Sequence, residues 1–104
     1  MPIQYADKPK QPGETLFYKM TFAPGKALAD GDSLTGSPTA TIHKISDGSD
    51  MSATMIEVST RTGNAITVGM KAGTSGESYK ITFHCGTTNG ETVEEDLVVA
   101  VQEL

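Results

Sequence analysis

The chain has 104 residues, enough for one domain with a single small core. Its apolar content of 37% is too high for a disordered chain. A net charge of −5, with the eight basic residues scattered, excludes the clustered Lys and Arg that nucleic-acid or anionic-membrane binding requires. Cys85 is the single cysteine, so no internal disulfide can form, and no stretch approaches the roughly 18 apolar residues of a membrane helix.

Residues 1–13, "MPIQYADKPKQPG", hold three of the five prolines. Proline fixes φ and removes a backbone donor, so this segment reads as an extended arm preceding a domain over 14–104, with a disordered tail and a first edge strand as its other readings. The segment has no apolar h-region and does not read as a signal peptide. Ile3 and Tyr5 are its sizeable apolar side chains, and Lys8 and Lys10 are the one close pair of cations. These four residues are the candidate partner contacts. An arm this poor in apolar groups cannot offset its own ordering entropy, so an ordered arm is expected to be held by a partner chain.

From Thr15 the pattern changes to period 2. In "TLFYKMTF", Leu16, Tyr18, Met20 and Phe22 share one face, and Phe17, Lys19 and Thr21 share the other. "APGKALADGDSL" reads as a loop with at most one helical turn, and "PTATIHKIS" as a weaker strand followed by the turn "DGSD". "TMIEVSTR" and "AITVGMKA" form a pair about Gly63-Asn64, where a Gly-first loop favours a type II′ turn. "SYKITFHCGT" and "ETVEEDLVVAVQEL" form the last pair about Asn89-Gly90. Tyr79, Ile81, Phe83 and Cys85 point one way, matched by Leu97, Val99 and Val101 on the last strand. No window carries a helical apolar stripe over three turns, so less than about a tenth of the chain is expected in helix.

Six or seven strands at this spacing predict an all-β sandwich. "AGTSGESY" places Tyr79 behind a glycine turn at the head of an alternating strand. That is the position of the tyrosine corner of immunoglobulin-like sandwiches, where the hydroxyl bonds back to the preceding loop. The predicted fold is therefore an Ig-like β-sandwich of about seven antiparallel strands with an extended N-terminal arm, and Gly76 and Tyr79 are its structural corner.

Chemistry-bearing constellations are scarce. His84 and Cys85 are neighbours on a strand and point to opposite faces, and with His43 they make three soft ligands where a zinc site needs four. No metal or cofactor site is expected. Asp30, Asp32, Asp47 and Asp50 sit beside glycines without EF-hand spacing and read as turn formers. Cys85 reads as a buried, inert thiol. Glu94, Glu95 and Asp96 read as solvated charges guarding a strand edge. No nucleophile elbow or phosphate loop is present, so no catalytic residue is assigned.

Three stretches carry a family resemblance. "KQPGETLFY" supplies Lys10, Pro12, Glu14, Leu16 and the aromatic pair Phe17-Tyr18. "LADGDSL" supplies Leu28, Gly31, Asp32 and Leu34, and "GTSGESY" supplies Gly73, Thr74, Gly76 and Tyr79. Over roughly residues 10–104 the chain resembles small Ig-like β-sandwich virion proteins of tailed bacteriophages and prophages, of the fibre–tail adaptor or capsid-decoration type. It departs from their pattern in having no Trp in the first strand and no Arg-x-x-Asp near the last. The resemblance implies a non-enzymatic structural protein, made in the host cytoplasm and docked in the virion. Its partners would be capsid, neck, tail or fibre proteins, met in several copies on a symmetric assembly. The alternative is an Ig-like module that binds a carbohydrate or a cell surface, which requires an exposed aromatic platform.

Overall fold

The computed structural model describes residues 4–104. Seven strands and one helical turn follow in chain order: β1 (Gln4–Tyr5), β2 (Leu16–Thr21), β3 (Leu34–Lys44), α1 (Ser52–Met55), β4 (Ile56–Thr62), β5 (Ala65–Met70), β6 (Ser78–Thr87) and β7 (Thr92–Ala100). The protein is all-β, with 4% helix, and forms a sandwich. One sheet has the order β1-β7-β6-β3 and the other β2-β5-β4.

Period-2 alternation sets which side chains enter the space between the sheets. Met20 and Phe22 from the β2 segment, Ile66, Val68 and Met70 from β5, and Tyr79, Ile81, Phe83 and Cys85 from β6 are buried together with Ile42, Val99 and Val101. Phe17 has the opposite parity to Met20 and stands in solvent on the outer face of its sheet, where it and Val58 pack over the bare backbone of Gly69.

Both hairpins fall where their dipeptides mark them. Gly63 has φ +59°, Asn64 has a negative φ, and Thr62 pairs with Ala65, the geometry of a type II′ turn. The second hairpin is wider than the two-residue loop that Asn-Gly suggests. The Thr87 amide donates to the Glu91 carbonyl and the Gly90 amide to the Thr87 carbonyl, while only Gly90 has positive φ. This is a three-residue loop with glycine at the left-handed position, stabilised further by the Thr87 hydroxyl, which accepts the Glu91 amide.

Four local expectations are corrected. β3 begins at Leu34, four residues before Pro38, because a bulge between Thr35 and Thr39 absorbs Gly36 and Pro38 and lets pairing with β6 resume. Ser52–Met55 forms one helical turn where a strand is expected to begin, and the Ser52 hydroxyl accepts the Ile42 amide. Glu95 is not a solvated guard. It shares the parity of Val99 and Val101, is buried, and accepts a hydrogen bond from the Gln4 amide at 3.2 Å.

The fourth correction concerns the arm. Over its described residues the arm is held without a partner chain, because β7 of the same chain pairs with it. Gln4 and Tyr5 pair with Leu97 and Val98 in parallel, the one parallel pairing among the seven strands. The Ala6 amide then donates to the Val98 carbonyl, the Lys10 amide to the Ala100 carbonyl, and the Gln102 amide back to the Lys10 carbonyl. These backbone bonds supply what the arm's few apolar groups cannot. Ile3 lies outside the described residues.

Candidate functional site

Of the residues singled out in the arm, Lys10 and Tyr5 go opposite ways. Lys10 is fully buried, and its ammonium donates to the carbonyls of Ala72 at 2.6 Å and Gln11 at 2.9 Å. Burial pulls its pKa below the ordinary lysine value, against the opposing pull of the Glu14 carboxylate. Lys10 is thus a peg that pins the arm to the β5–β6 loop and presents nothing to a partner. That loop is tight. Ala72 has φ +60°, and a Cβ on Gly73 (φ +106°) would come within 2.9 Å of Val101 and 3.2 Å of Met55. The loop closes on Tyr79, whose buried hydroxyl accepts the Thr74 amide at 2.9 Å, with Gly76 at φ +92° in between.

Tyr5 is 71% exposed and Lys8 is exposed. Both line a groove of about 470 Å³ between β1 and β2, the two edge strands that face each other across one side of the sandwich. The far wall is Leu16, Phe17 and Lys19, with Phe17 62% exposed, and Leu97 lies in the floor. Tyr18 also lines it, and its hydroxyl is buried without a hydrogen-bond partner among the described residues. Burial, and secondarily the Glu14 charge, push its phenol above the ordinary tyrosine value. Lys8 and Lys19 outnumber Asp7 at the rim, so the groove is locally cationic on an acidic protein.

β2 pairs with β5 on one side only, so its other row of backbone groups faces this groove among the described residues. Chemically, the site can accept an extended segment along β2, with the exposed Tyr5 and Phe17 rings at its borders. It holds no nucleophile–base pair. No group of three His, Cys, Asp or Glu side chains that could hold a metal occurs among the described residues, and His43 and His84 lie on the outer face of the other sheet. Phe17 and Lys19 are the groove residues that the sequence reading left unassigned. Their signal was present: parity puts an aromatic and a cation outward on a strand whose other face is core.

The model of the family described as podophage GP4 fiber-tail adaptor protein gp77 matches residues 10–100. The chain belongs to that family. The match begins at the buried Lys10 and ends with β7, so it spans both sheets. No curated protein and no solved structure matches the chain. The chain is thus a phage virion adaptor, a structural protein whose family joins fibre to tail, as the resemblance in "KQPGETLFY" and "GTSGESY" implied.

Proposed function

We propose that this chain is an Ig-like interaction module, present in several copies in the virion, that receives an extended segment of a tail or fibre protein in the groove between β1 and β2. The observation that carries this reading is the pair of exposed rings, Tyr5 and Phe17, flanking that groove on the open side of the sandwich. Interfaces are anchored by such rings, and an edge strand supplies main-chain bonds to an added strand. Lys8 and Lys19 at the rim favour an acidic segment.

The Ig-like reading is supported by strand order. β2-β5-β4 and β3-β6-β7 correspond to B-E-D and C-F-G of the immunoglobulin sandwich, and Tyr79 occupies the head of strand F. In this reading Gly76 and Tyr79 hold the corner, the arm is built into the domain over its described residues 4–13, and Tyr5 and Lys8 remain partner contacts. Several copies, each with a modest contact, would give the avidity a symmetric assembly needs.

The test is binding of the double variant Tyr5→Ala, Phe17→Asp to purified tail or fibre protein. Two aromatic anchors of about 2 kcal/mol each predict a loss well beyond tenfold, with an unfolding midpoint close to the parent's. Unchanged binding would remove the groove as the docking site. The carbohydrate-binding alternative gains support from the same exposed rings. It requires that soluble host glycans compete for the groove, and failure to compete would rule it out.

A further inference from the structure

The strands at the sheet edges are β1 and β3 in one sheet and β2 and β4 in the other. Natural sheets blunt such edges with short strands and bulges, and β1, β3 and β4 follow that rule. β1 has two residues, β3 is bulged between Thr35 and Thr39, and β4 is bulged between Ile56 and Val58. β2 does not. It is six residues long and pairs with β5 in one unbroken register, from Leu16 opposite Met70 to Thr21 opposite Ala65.

That register fixes which backbone groups of β2 are free. One step beyond Thr21, the Phe22 amide donates to the Asn64 carbonyl directly opposite. Hydrogen-bonded and non-bonded pairs alternate along an antiparallel ladder, so Met20, Tyr18 and Leu16 also exchange their bonds with β5. The amides and carbonyls of Phe17, Lys19 and Thr21 point the other way, where no strand pairs with β2 among the described residues. Beside Met20 the seam is taken by the Gln4 side chain, which donates to the Met20 sulfur at 3.5 Å, and the groove lining ends at Lys19. The open edge is therefore the main chain of Phe17 and Lys19.

In an immunoglobulin sandwich the sheet order is A-B-E-D, and strand A covers the edge of strand B. Here β2-β5-β4 supplies B-E-D, while the arm, where strand A is expected, pairs with β7. We propose that the position of strand A is vacant in the free chain and is filled by a segment of the tail or fibre protein, added to β2 as an antiparallel strand. This rests on the docking in the groove proposed above and states how the segment is held. The antiparallel direction is that of a hydrogen-bonded ladder in which Phe17 and Lys19 each exchange both bonds with the residue opposite. Alternation then dictates the occupant. The residues opposite Phe17 and Lys19 put their side chains on the outer face, the first apolar beside the Phe17 ring, the second acidic beside the Lys19 ammonium. The residue between them, opposite Tyr18, points into the groove, whose lining includes Ala6 and Leu97, and is apolar. Neither nearby carboxylate replaces the acidic residue: Asp7 belongs to the arm side of the groove, and Glu14 accepts the Gln11 amide at 2.8 Å. Lysine is a residue that shields free edges, and an acidic strand turns that shield into a contact.

Amide exchange resolved to single residues tests it, on the full chain with and without purified tail or fibre protein. In the free chain Phe17 and Lys19 should exchange at least about tenfold faster than Tyr18, which is bonded to β5. In the complex they should slow by at least about tenfold while Tyr18 changes little. Burial by side-chain contact alone does not alternate in this way. Lys19→Pro removes one of the free amides without removing a bond to β5, as edge strands allow. It should bind at least about tenfold more weakly than Lys19→Ala, which removes the ammonium and keeps the amide. Should the proline variant fail to fold, the exchange pattern of the parent decides alone. Phe17 and Lys19 amides as slow as Tyr18 in the free chain would show the edge already covered and overturn the proposal. If Tyr5→Ala, Phe17→Asp abolishes binding while both amides stay fast in the parent complex, the vacant strand is overturned and docking in the groove stands. If neither the double variant nor Lys19→Pro weakens binding, both are overturned. Slowing of the same two amides in the chain alone as its concentration rises would overturn the tail or fibre segment and give the position to another copy.

Discussion

The two sides of the sandwich are finished differently. On the β3–β4 side the Arg61 guanidinium donates to the carbonyls of Gly36 at 2.7 Å and Gly63 at 2.9 Å, tying the β3 bulge to the β4–β5 hairpin. The Met51 amide donates to the Ile42 carbonyl, and the Leu34 amide donates to the Asn64 side chain at 2.9 Å. Side chains and loops close that seam. On the β1–β2 side the two sheets are bridged by Gln4, which reaches Glu95 and the Met20 sulfur, and two aromatic rings stand in solvent beside a groove. A small domain that spends hydrogen bonds on one seam and exposes rings along the other has a closed side and an open side, and the open side is the proposed docking side.

The largest effect on stability is expected from the peg that holds the arm on the open side in place. Lys10→Ala leaves the Ala72 carbonyl buried without its donor and removes a packed aliphatic stem, a loss of about 2–3 kcal/mol. Lys10→Met keeps the stem and removes the cost of burying a charge, so it should lose less. Denaturant midpoints of the two variants check the order, and equal losses would show that the charge itself is what matters. Tyr79→Phe removes the acceptor of the Thr74 amide and should cost about 1–2 kcal/mol. An unchanged midpoint would mean that water replaces the hydroxyl.

On the closed side, Arg61→Ala should cost about 1 kcal/mol, since its two bonds are largely exposed. Affinity for tail or fibre protein should be unchanged. A loss of affinity without a loss of stability would make the β3–β4 side a docking side too.

The smallest expected effect sharpens the picture of Gln4 and Glu95. Burial pushes the Glu95 carboxyl above the usual carboxylate range, the Asp96 charge adds to this, and Gln4 opposes it. The folded state therefore holds this proton more tightly than the unfolded one. The group favours folding most in acid, and its contribution falls as pH rises through the ordinary carboxylate pKa towards the raised one. Glu95→Gln should raise the melting temperature slightly at neutral pH and leave it unchanged near about pH 3, where both forms are neutral. A gain that persists in acid would trace to packing and not to charge.

Much of this was legible in the residues. Alternation in "TLFYKMTF" and "SYKITFHC" assigns the core faces, because one buried face forces period 2 on a strand. The turn chemistry of Gly63-Asn64 and Asn89-Gly90 places the hairpins. The face of Glu95 could have been read from its parity with Val99, but a run of three acids suggests solvent more strongly than parity suggests burial. A first edge strand was one reading of the arm, but nothing in the residues favoured it over an arm on another molecule. Its pairing joins residues more than ninety positions apart, its strand is two residues long, and lysine is a residue type that seldom buries, so Lys10 looked like surface. The groove follows from that pairing and was hidden with it, although Tyr5 and the outward Phe17 were each visible alone.

Hydrogen–deuterium exchange on the full chain, with and without purified tail or fibre protein, tests the docking side most directly. The expected result is slowed exchange at 5–8 and at 16–19, where the edge of β2 gains a partner, with no change over 57–62. Slowing confined to 57–62, with 5–8 and 16–19 exchanging as in the free chain, would place the partner on the side the fold has closed and contradict the assignment.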